Sequence, residues 1–489
     1  MSIIKVDNLT FSYPSSYHNV FDNVSFVIDT DWRLGFVGRN GRGKTTFLRL
    51  LTGEYEYSGR IISSVEFEYF PYRVSDEGLL TVEVLREKNP LAEDWEFMRE
   101  LSLLDVDCGV LDRPFNTLSH GERTKVLLSA LFVNGGRFLL IDEPTNHLDG
   151  RARESVAHYL NRKKGFILVS HDRAFMDGCV DHILALNKTD IQVVNGNFSS
   201  FMTEFERRQE SERRENERLK TDIRRLSDTA RRTEAWADRV EASKIGAGDK
   251  GYVGHMSAKM MKRAKTVEAR VEKEIEQKSS LLKNSEYAGK LKMFPVVYRA
   301  ETIAELSGVA VSYDGREIMR PVGFTVKRGE RIALDGKNGC GKSSILKLLT
   351  GGTIEHLGRV SVPSDLKVSY IPQDTCALSG SLKDFAGDNG IDESLLKTVL
   401  SRMGFEREQF DKDISDFSDG QKKKTLIAKS LCDAAHLYVW DEPLNFIDVY
   451  SRMQIESVLC EFNPTMVFVE HDKVFRQKIA TRVIELSRT

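Results

Sequence analysis

The feature that most constrains this chain is that it is written twice. Gly38-Arg39-Asn40-Gly41-Arg42-Gly43-Lys44-Thr45-Thr46 recurs as Gly336-Lys337-Asn338-Gly339-Cys340-Gly341-Lys342-Ser343-Ser344, with Lys44 and Lys342 298 positions apart. Ser119-His120-Gly121-Glu122 recurs as Ser418-Asp419-Gly420-Gln421, and Asp142-Glu143-Pro144 as Asp441-Glu442-Pro443, both at an offset of 299. Ser170-His171-Asp172 recurs as Glu470-His471-Asp472 at an offset of 300. Four motifs holding register this closely indicate tandem duplication of one domain.

Within each copy, short apolar runs alternate with helical stretches. Phe138-Leu139-Leu140-Ile141 and Phe166-Ile167-Leu168-Val169 are apolar at every position, as are their partners Leu437-Tyr438-Val439-Trp440 and Met466-Val467-Phe468-Val469. Unbroken apolar runs of this length predict parallel strands buried on both faces, hence an α/β class. The longest such runs fall far short of the roughly 20 residues a membrane span needs, so no transmembrane segment is expected. The N-terminus lacks the apolar stretch of a secretory leader, and the six cysteines form no C-x-x-C pair. Both point to a cytoplasmic chain without disulfides or a zinc site.

The copies are separated by a segment of different character. Ser199 to Lys290 carries 22 Lys+Arg against 17 Asp+Glu, although the whole chain has a net charge of −2. Leu219, Ile223, Leu226 and Ala230 keep a 4-3-4 spacing, as do Met260, Ala264, Val267 and Val271. This is the seam of a coiled coil, which predicts two antiparallel helices around the glycine-rich stretch Gly246–Gly254. The expected division is 1–198, a first α/β domain; 199–298, a helical-hairpin arm with its tip at about 244–256; and 299–489, a second α/β domain.

G-x-x-x-x-G-K-[ST], placed between a strand and a helix, is a phosphate-binding loop. Its glycines let backbone N–H groups wrap phosphates at a helix N-terminus. Gly38, Asn40, Gly41, Gly43, Lys44, Thr45 and Thr46, with Gly336, Asn338, Gly339, Gly341, Lys342, Ser343 and Ser344, are therefore candidate ATP-binding residues. Thr45 and Ser343, with the strand-terminal Asp142 and Asp441, are the candidate Mg²⁺ ligands. Glu143 and Glu442 follow directly and are candidate general bases or water-orienting groups. His171 and His471 each follow a buried strand, where a γ-phosphate contact competes with a merely solvated or structural role. Tyr13 and Tyr313, 300 positions apart, are candidates for adenine stacking, a core or edge tyrosine being the alternative. Gln373 follows Tyr370-Ile371-Pro372 as a candidate contact to metal-bound water, whereas Tyr72 occupies the corresponding place in the first copy.

These residues together resemble the ATP-binding-cassette ATPases. Leu118-Ser119-His120-Gly121-Glu122 and Phe417-Ser418-Asp419-Gly420-Gln421 look like that family's signature. The resemblance implies a head-to-tail cassette pair. Each ATP would lie between one phosphate loop and the signature Ser119, Gly121 and Glu122, or Ser418, Gly420 and Gln421, of the other cassette. Two cassettes without a membrane domain and with a charged arm resemble the ABC-F proteins, as does Pro144-Thr145-Asn146-His147-Leu148-Asp149. The motifs Gly38–Lys44, Arg113-Pro114-Phe115 and Trp440–Asn445 are similar to those of the Lsa-type antibiotic-resistance group.

What this implies is a ribosome protection ATPase, monomeric with intramolecular cassette pairing. It would bind bacterial rRNA and P-site tRNA at the tRNA exit site, with neither membrane nor DNA as partner. The drugs implied are lincosamides, streptogramin A compounds and pleuromutilins. The arm tip, with Lys250, Tyr252 and Val253, would dislodge drug from the peptidyl-transferase centre. A housekeeping ABC-F translation factor uses the same parts, and a transporter ATPase subunit is the more distant alternative. Departures from the family pattern, such as His120, Tyr72 and the Leu444, Phe446 and Ile447 substitutions, imply two unequal ATP sites.

Overall fold

The computed structural model describes residues 2–14, 19–133, 135–145, 148–187, 191–242, 290–313, 315–337 and 339–488. Asn146, His147, Asn338, the tip residues Lys250, Tyr252 and Val253, and the expected second arm helix lie outside the described residues. The chain divides into one unit of Met1–Phe201 with Ala288–Thr489 and another of Met202–Tyr287.

The first unit holds two similar α/β cassettes. In the first, the main sheet has the spatial order Glu66–Phe70, Arg137–Asp142, Phe166–Val169, Arg33–Gly38, His182–Leu186, Ile191–Asn195. All neighbours are parallel except the last pair. In the second, Val368–Ile371, Leu437–Asp441, Met466–Val469, Arg331–Asp335 and Arg482–Glu485 follow the same order, all parallel. The four apolar runs picked out by their unbroken hydrophobicity are central strands buried at every apolar position. In the second cassette helices cover one face, and the phosphate-loop helix with the antiparallel sheet covers the other, which is why these strands show no polar alternation.

Each cassette adds an antiparallel sheet. Ile3–Phe11 lies between Phe21–Asp29 and Ser58–Ile62, and Thr302–Tyr313 between Val322–Lys327 and His356–Ser361. These strands alternate, and their apolar face closes the core. Ile4, Val6 and Phe26 join Phe36, Phe47 and Leu140 in the first cassette, and Leu306, Val311 and Phe324 join Leu346 and Val439 in the second. A second core in the later cassette gathers Trp440, Phe468, Leu431 and Leu459 beneath its helices. Among the described residues no helix is long and apolar enough to cross a membrane.

In the other unit the described element is the helix that begins at Phe198 and runs 45 residues to Ala242, about 67 Å at 1.5 Å per residue. Leu219, Ile223 and Leu226 are half-buried, while Arg218, Lys220, Arg224 and Arg225 are exposed. That is the stripe their spacing predicts. Glu204–Arg208 and Glu210–Arg214 pair at i,i+4 along the exposed surface.

The duplication extends to a feature hidden in the sequence. Gly59 and Gly358 have φ of 103° and 85°, 299 positions apart, in strands crossing the bulged centre of each antiparallel sheet. A Cβ at Gly59 would lie 2.4 Å from the Asn8 carbonyl oxygen, and one at Gly358 2.3 Å from that of Gly308. Backbone cannot yield as a flexible side chain can. Gly358→Ala is therefore expected to lower stability by roughly 1–3 kcal/mol, read as a lower urea midpoint with unchanged slope. An unchanged midpoint would show that the sheet absorbs the methyl group.

Candidate functional site

Parallel pairing brings the strand ends Gly38, Asp142 and Val169 to one sheet edge, with Asp142 directly opposite Val169. Ligands of open parallel sheets bind at this carboxyl edge. The helix Lys44–Leu51 starts there, as does Lys342–Leu349 in the other copy. Lys44 Nζ folds onto its own loop, donating to the carbonyls of Gly38 (2.7 Å) and Arg39 (3.2 Å) and to Asn40 Oδ1 (3.3 Å). Lys342 Nζ does the same with Gly336 (2.7 Å) and Lys337 (3.1 Å). Burial pulls the Lys44 ammonium below its ordinary pKa, against the opposing attraction of Asp448, Glu143 and Asp142.

The hydroxyl of Thr45 donates to Asp142 Oδ2 at 2.9 Å, and Ser343 hydrogen-bonds Asp441 in the same way. Asp441 Oδ1 is buried without a hydrogen-bond partner. Among the described residues no group of three or more His, Cys, Asp or Glu is gathered to cage a metal. One carboxylate beside one hydroxyl would suffice as a protein's share of a Mg²⁺ site completed by phosphates and water, so the residues fit that ion. Burial first, with Glu442 beside it, raises the pKa of Asp441.

Glu143 and Glu442 sit at φ of 50° and 45°, while their N–H groups still donate to Val169 and Val469 at 2.9 and 3.0 Å. The strand thus holds the residue while its backbone turns left-handed, a costly conformation typical of functional positions. His171 Nε2 lies 3.3 Å from Glu143 Oε1, and His471 Nε2 lies 3.2 Å from Glu442 Oε1. Glu442 has two further described donors. Gln373 Nε2 and Asn445 Nδ2 donate to Glu442 Oε2 at 3.0 and 2.7 Å. Burial would raise this carboxyl, but the contacts from His471, Asn445 and Gln373 outweigh it and hold the pKa down to about 2. Glu143 is pushed well above the usual carboxylate range, by burial and then by Asp142. Burial and Lys44 keep His171 neutral.

The tyrosine hydroxyls reach the phosphate-loop helices. Tyr13 Oη shares a hydrogen bond with Thr46 Oγ1 (2.6 Å) and Tyr313 Oη one with Ser344 Oγ (2.9 Å). Tyr13 also packs edge-on against Phe11 and Tyr55, whereas Tyr313 is 47% exposed. Ser119 and Glu122 exchange hydrogen bonds at the start of their own helix, and Ser418 and Gln421 do likewise. Glu122 and Gln421 are thus the far halves of capping boxes.

One cavity of about 1080 Å³ unites the two copies. Ser119, Gly121 and Glu122 of the first cassette face Tyr313, Gly339, Gly341, Lys342, Ser343, Ser344, Gln373, Glu442 and His471 of the second. At the reciprocal place, Asn40 Nδ2 of the first phosphate loop donates to the Phe446 carbonyl of the second cassette at 2.6 Å. A Cβ on Gly420 would lie 2.6 Å from that carbonyl oxygen and 3.0 Å from Asn40 Nδ2. The signature glycine is therefore packed directly against the opposite phosphate loop. Sequence reasoning passed over Tyr69, whose hydroxyl donates to Asp142 Oδ2 at 2.8 Å. Its repetition as Tyr370, two residues before a proline in each copy, is the signal that was present.

Residues 21–146 and 319–445 match the ABC transporter family. The ribosome protection protein VmlR of Bacillus subtilis is 26% identical over 488 residues, covering 97% of this chain and 85% of VmlR. The ATP-binding protein Uup of Caulobacter vibrioides is 29% identical over 483 residues, covering 96% and 74%. The fold is shared with the archaeal ribosome recycling factor aABCE1, solved in complex with the ribosomal stalk protein aP1. The TM-score is 0.62 and the identity 19%, over 98% of this chain and 87% of that one. The two matched segments, each carrying its own phosphate loop and together spanning just over half of the 489 residues, establish that the chain belongs to the ABC transporter family and is an ATPase with two tandem cassettes.

Proposed function

We propose that this protein is an ABC-F ATPase that acts on the bacterial ribosome as a drug-protection factor. The observation that carries the reading is the cavity in which the signature Ser119 and Gly121 of one cassette face Lys342, Ser343 and Glu442 of the other. It is supported by the likeness to a protein named for ribosome protection, which extends over nearly the whole chain. The excess of positive charge in 199–290 suits rRNA and tRNA phosphates, whereas the remainder of the chain is net acidic.

In this reading the cassettes are 1–198 and 299–489, and 199–298 is the arm. Lys44 and Lys342 turn from their loop carbonyls to the β and γ phosphates. Asp142 with Thr45 and Asp441 with Ser343 hold Mg²⁺, which when bound neutralises charge on the phosphoryl oxygens. Glu442, kept ionised by its three neighbours, orients the attacking water and takes its proton, and His471 positions Glu442. Glu143 and His171 fill these roles in the first site once Glu143 loses its proton. Catalysis of this kind is mostly positioning and electrostatics. ATP-driven closure commits the protein to the tRNA exit site. The tip, with Lys250, Tyr252 and Val253, then displaces lincosamides, streptogramin A compounds and pleuromutilins by way of P-site tRNA and rRNA. Hydrolysis releases the protein, which works as a cytoplasmic monomer.

The decisive experiment is cell-free bacterial translation inhibited by lincomycin or tiamulin, with and without purified protein and ATP. Restored synthesis is expected. If synthesis stays blocked while the Glu143→Gln, Glu442→Gln double variant still arrests drug-free translation, the protein is a housekeeping factor instead. That double variant is expected to bind ATP, to lose at least about 10²-fold in turnover, and to co-sediment with ribosomes in ATP. Absence from the ribosome pellet would count against the mechanism. Deleting part of Gly246–Gly254 is expected to spare ATP turnover and abolish protection, and protection that survives would remove the tip as effector.

A further inference from the structure

A buried charge cluster joins the cassettes; its Arg452–Asp472 pair is repeated as Arg153–Asp172 at 2.9 Å, but the link that crosses between cassettes occurs in one copy of the duplication. Arg173, two residues after His171, opens the helix Arg173–Cys179 of the first cassette. Its Nη2 enters the second cassette and pairs with Glu456 and, at 3.2 Å, with Asp472 Oδ2. Glu456 is fully buried and Asp472 is 1% exposed. Asp472 Oδ2 also takes Arg452 Nη1 at 3.1 Å. The other nitrogens of Arg452 donate to the carbonyls of Leu444 (2.8 Å) and Ile447 (2.9 Å). Those two residues bracket Phe446, whose carbonyl receives Asn40 of the first phosphate loop.

Asp472 has another neighbour on its other side. It follows His471, which contacts Glu442, and its Oδ1 caps the helix Lys473–Ile479 through the Phe475 N–H at 3.0 Å. A side chain from the first cassette therefore grips the carboxylate standing between the loop at one ATP site and the histidine at the other. The mirror arrangement is different. Lys473, 300 positions after Arg173, pairs with the exposed Glu154, and Ala157 occupies the place of Glu456 at the offset of 299. Both carboxylates are met by the single nitrogen Nη2, held at the far end of a rigid guanidinium plane whose Nε is buried without a hydrogen-bond partner, whereas a lysine ammonium is a compact point charge on a flexible stem.

We propose that Arg173 is a positioning residue for ATP hydrolysis at the second phosphate loop. It fixes Asp472, and through Asp472 it sets both the His471–Glu442 contact and the loop around Phe446. Occupancy of the first site, sensed at Asn40 and Phe446, is thereby coupled to turnover at the second. This rests on the reading of Glu442 as the group that orients water.

The test uses the full chain in two backgrounds. Glu143→Gln leaves turnover to the second loop, and Glu442→Gln leaves it to the first. Arg173→Lys, which installs the residue of the mirror position, is expected to lower kcat about tenfold or more in the Glu143→Gln background. KM for ATP should stay within about twofold there, and in the Glu442→Gln background kcat should change less than about twofold. Arg173→Ala with Glu456→Ala removes one charge of each sign, matches Ala157 at the Glu456 position, and releases the half-exposed Lys478 that pairs with Glu456 Oε2 at 3.1 Å. It should give the same selective loss, so the test survives if Arg173→Lys folds poorly. Equal losses in both backgrounds, or a lower unfolding midpoint with kcat intact, would make Arg173 a structural link and overturn the proposal. If the double Glu→Gln chain still hydrolyses ATP at the native rate, the underlying reading of Glu442 fails, a result independent of Arg173.

Discussion

The pairing of each phosphate-loop strand with the strand that ends before the histidine is the contact on which everything else depends. Arg33–Phe36 runs parallel to Phe166–Val169, and Arg331–Ala333 to Met466–Phe468. Because side chains alternate along a strand, a slip of one residue would turn every side chain of the slipped strand to the other face and shift the loop that follows it. The unbroken apolar character of the central strands prevents that slip only in combination with the layers packed on both faces. The carboxyl edge then collects three loops, with Asp142 98 positions after Lys44 and His171 another 29 beyond.

The two composite sites share this frame and differ in what surrounds it. Glu442 receives donors from Gln373 and Asn445, whereas Tyr72 takes the place of Gln373 in the first cassette, its hydroxyl buried without a partner. Burial and then Asp142 place the carboxyl of Glu143 in an environment that favours its protonated form, while the donors around Glu442 favour the anion. A pair of groups with the same covalent chemistry is driven apart by hydrogen bonding and burial. The duplication supplied two equal starting points, and single substitutions around them separate the chemistry.

Much of this was legible before any coordinates. The repeat, the strand–loop–helix context of Lys44 and Lys342, and the apolar runs are local signals, readable from spacing alone. The partnership between Glu442 and Gln373 was not, because it joins two loops 69 residues apart through backbone turns that spacing does not encode. The capping role of Glu122 and Gln421 was open to recognition, since Ser-x-x-Glu and Ser-x-x-Gln before a helix are its usual marks, but the family signature drew attention elsewhere. Arg173 and Glu456 are separated by 283 positions. Each is unremarkable in its own helix, and their meeting follows only from the tertiary arrangement.

The one-sided placement of Glu456 has a consequence for the architecture itself. In a twofold dimer of identical cassettes, any residue placed on one side of the interface is placed on both, so a contact that improves one site constrains the other. Joining the copies in one chain breaks that bond. Arg173 always meets Glu456, and Lys473 always meets Glu154, whatever the concentration of the protein. Fusion thus turns a symmetry-bound interface into two independently adjustable halves, and order of action between two ATP sites becomes something a point mutation can set.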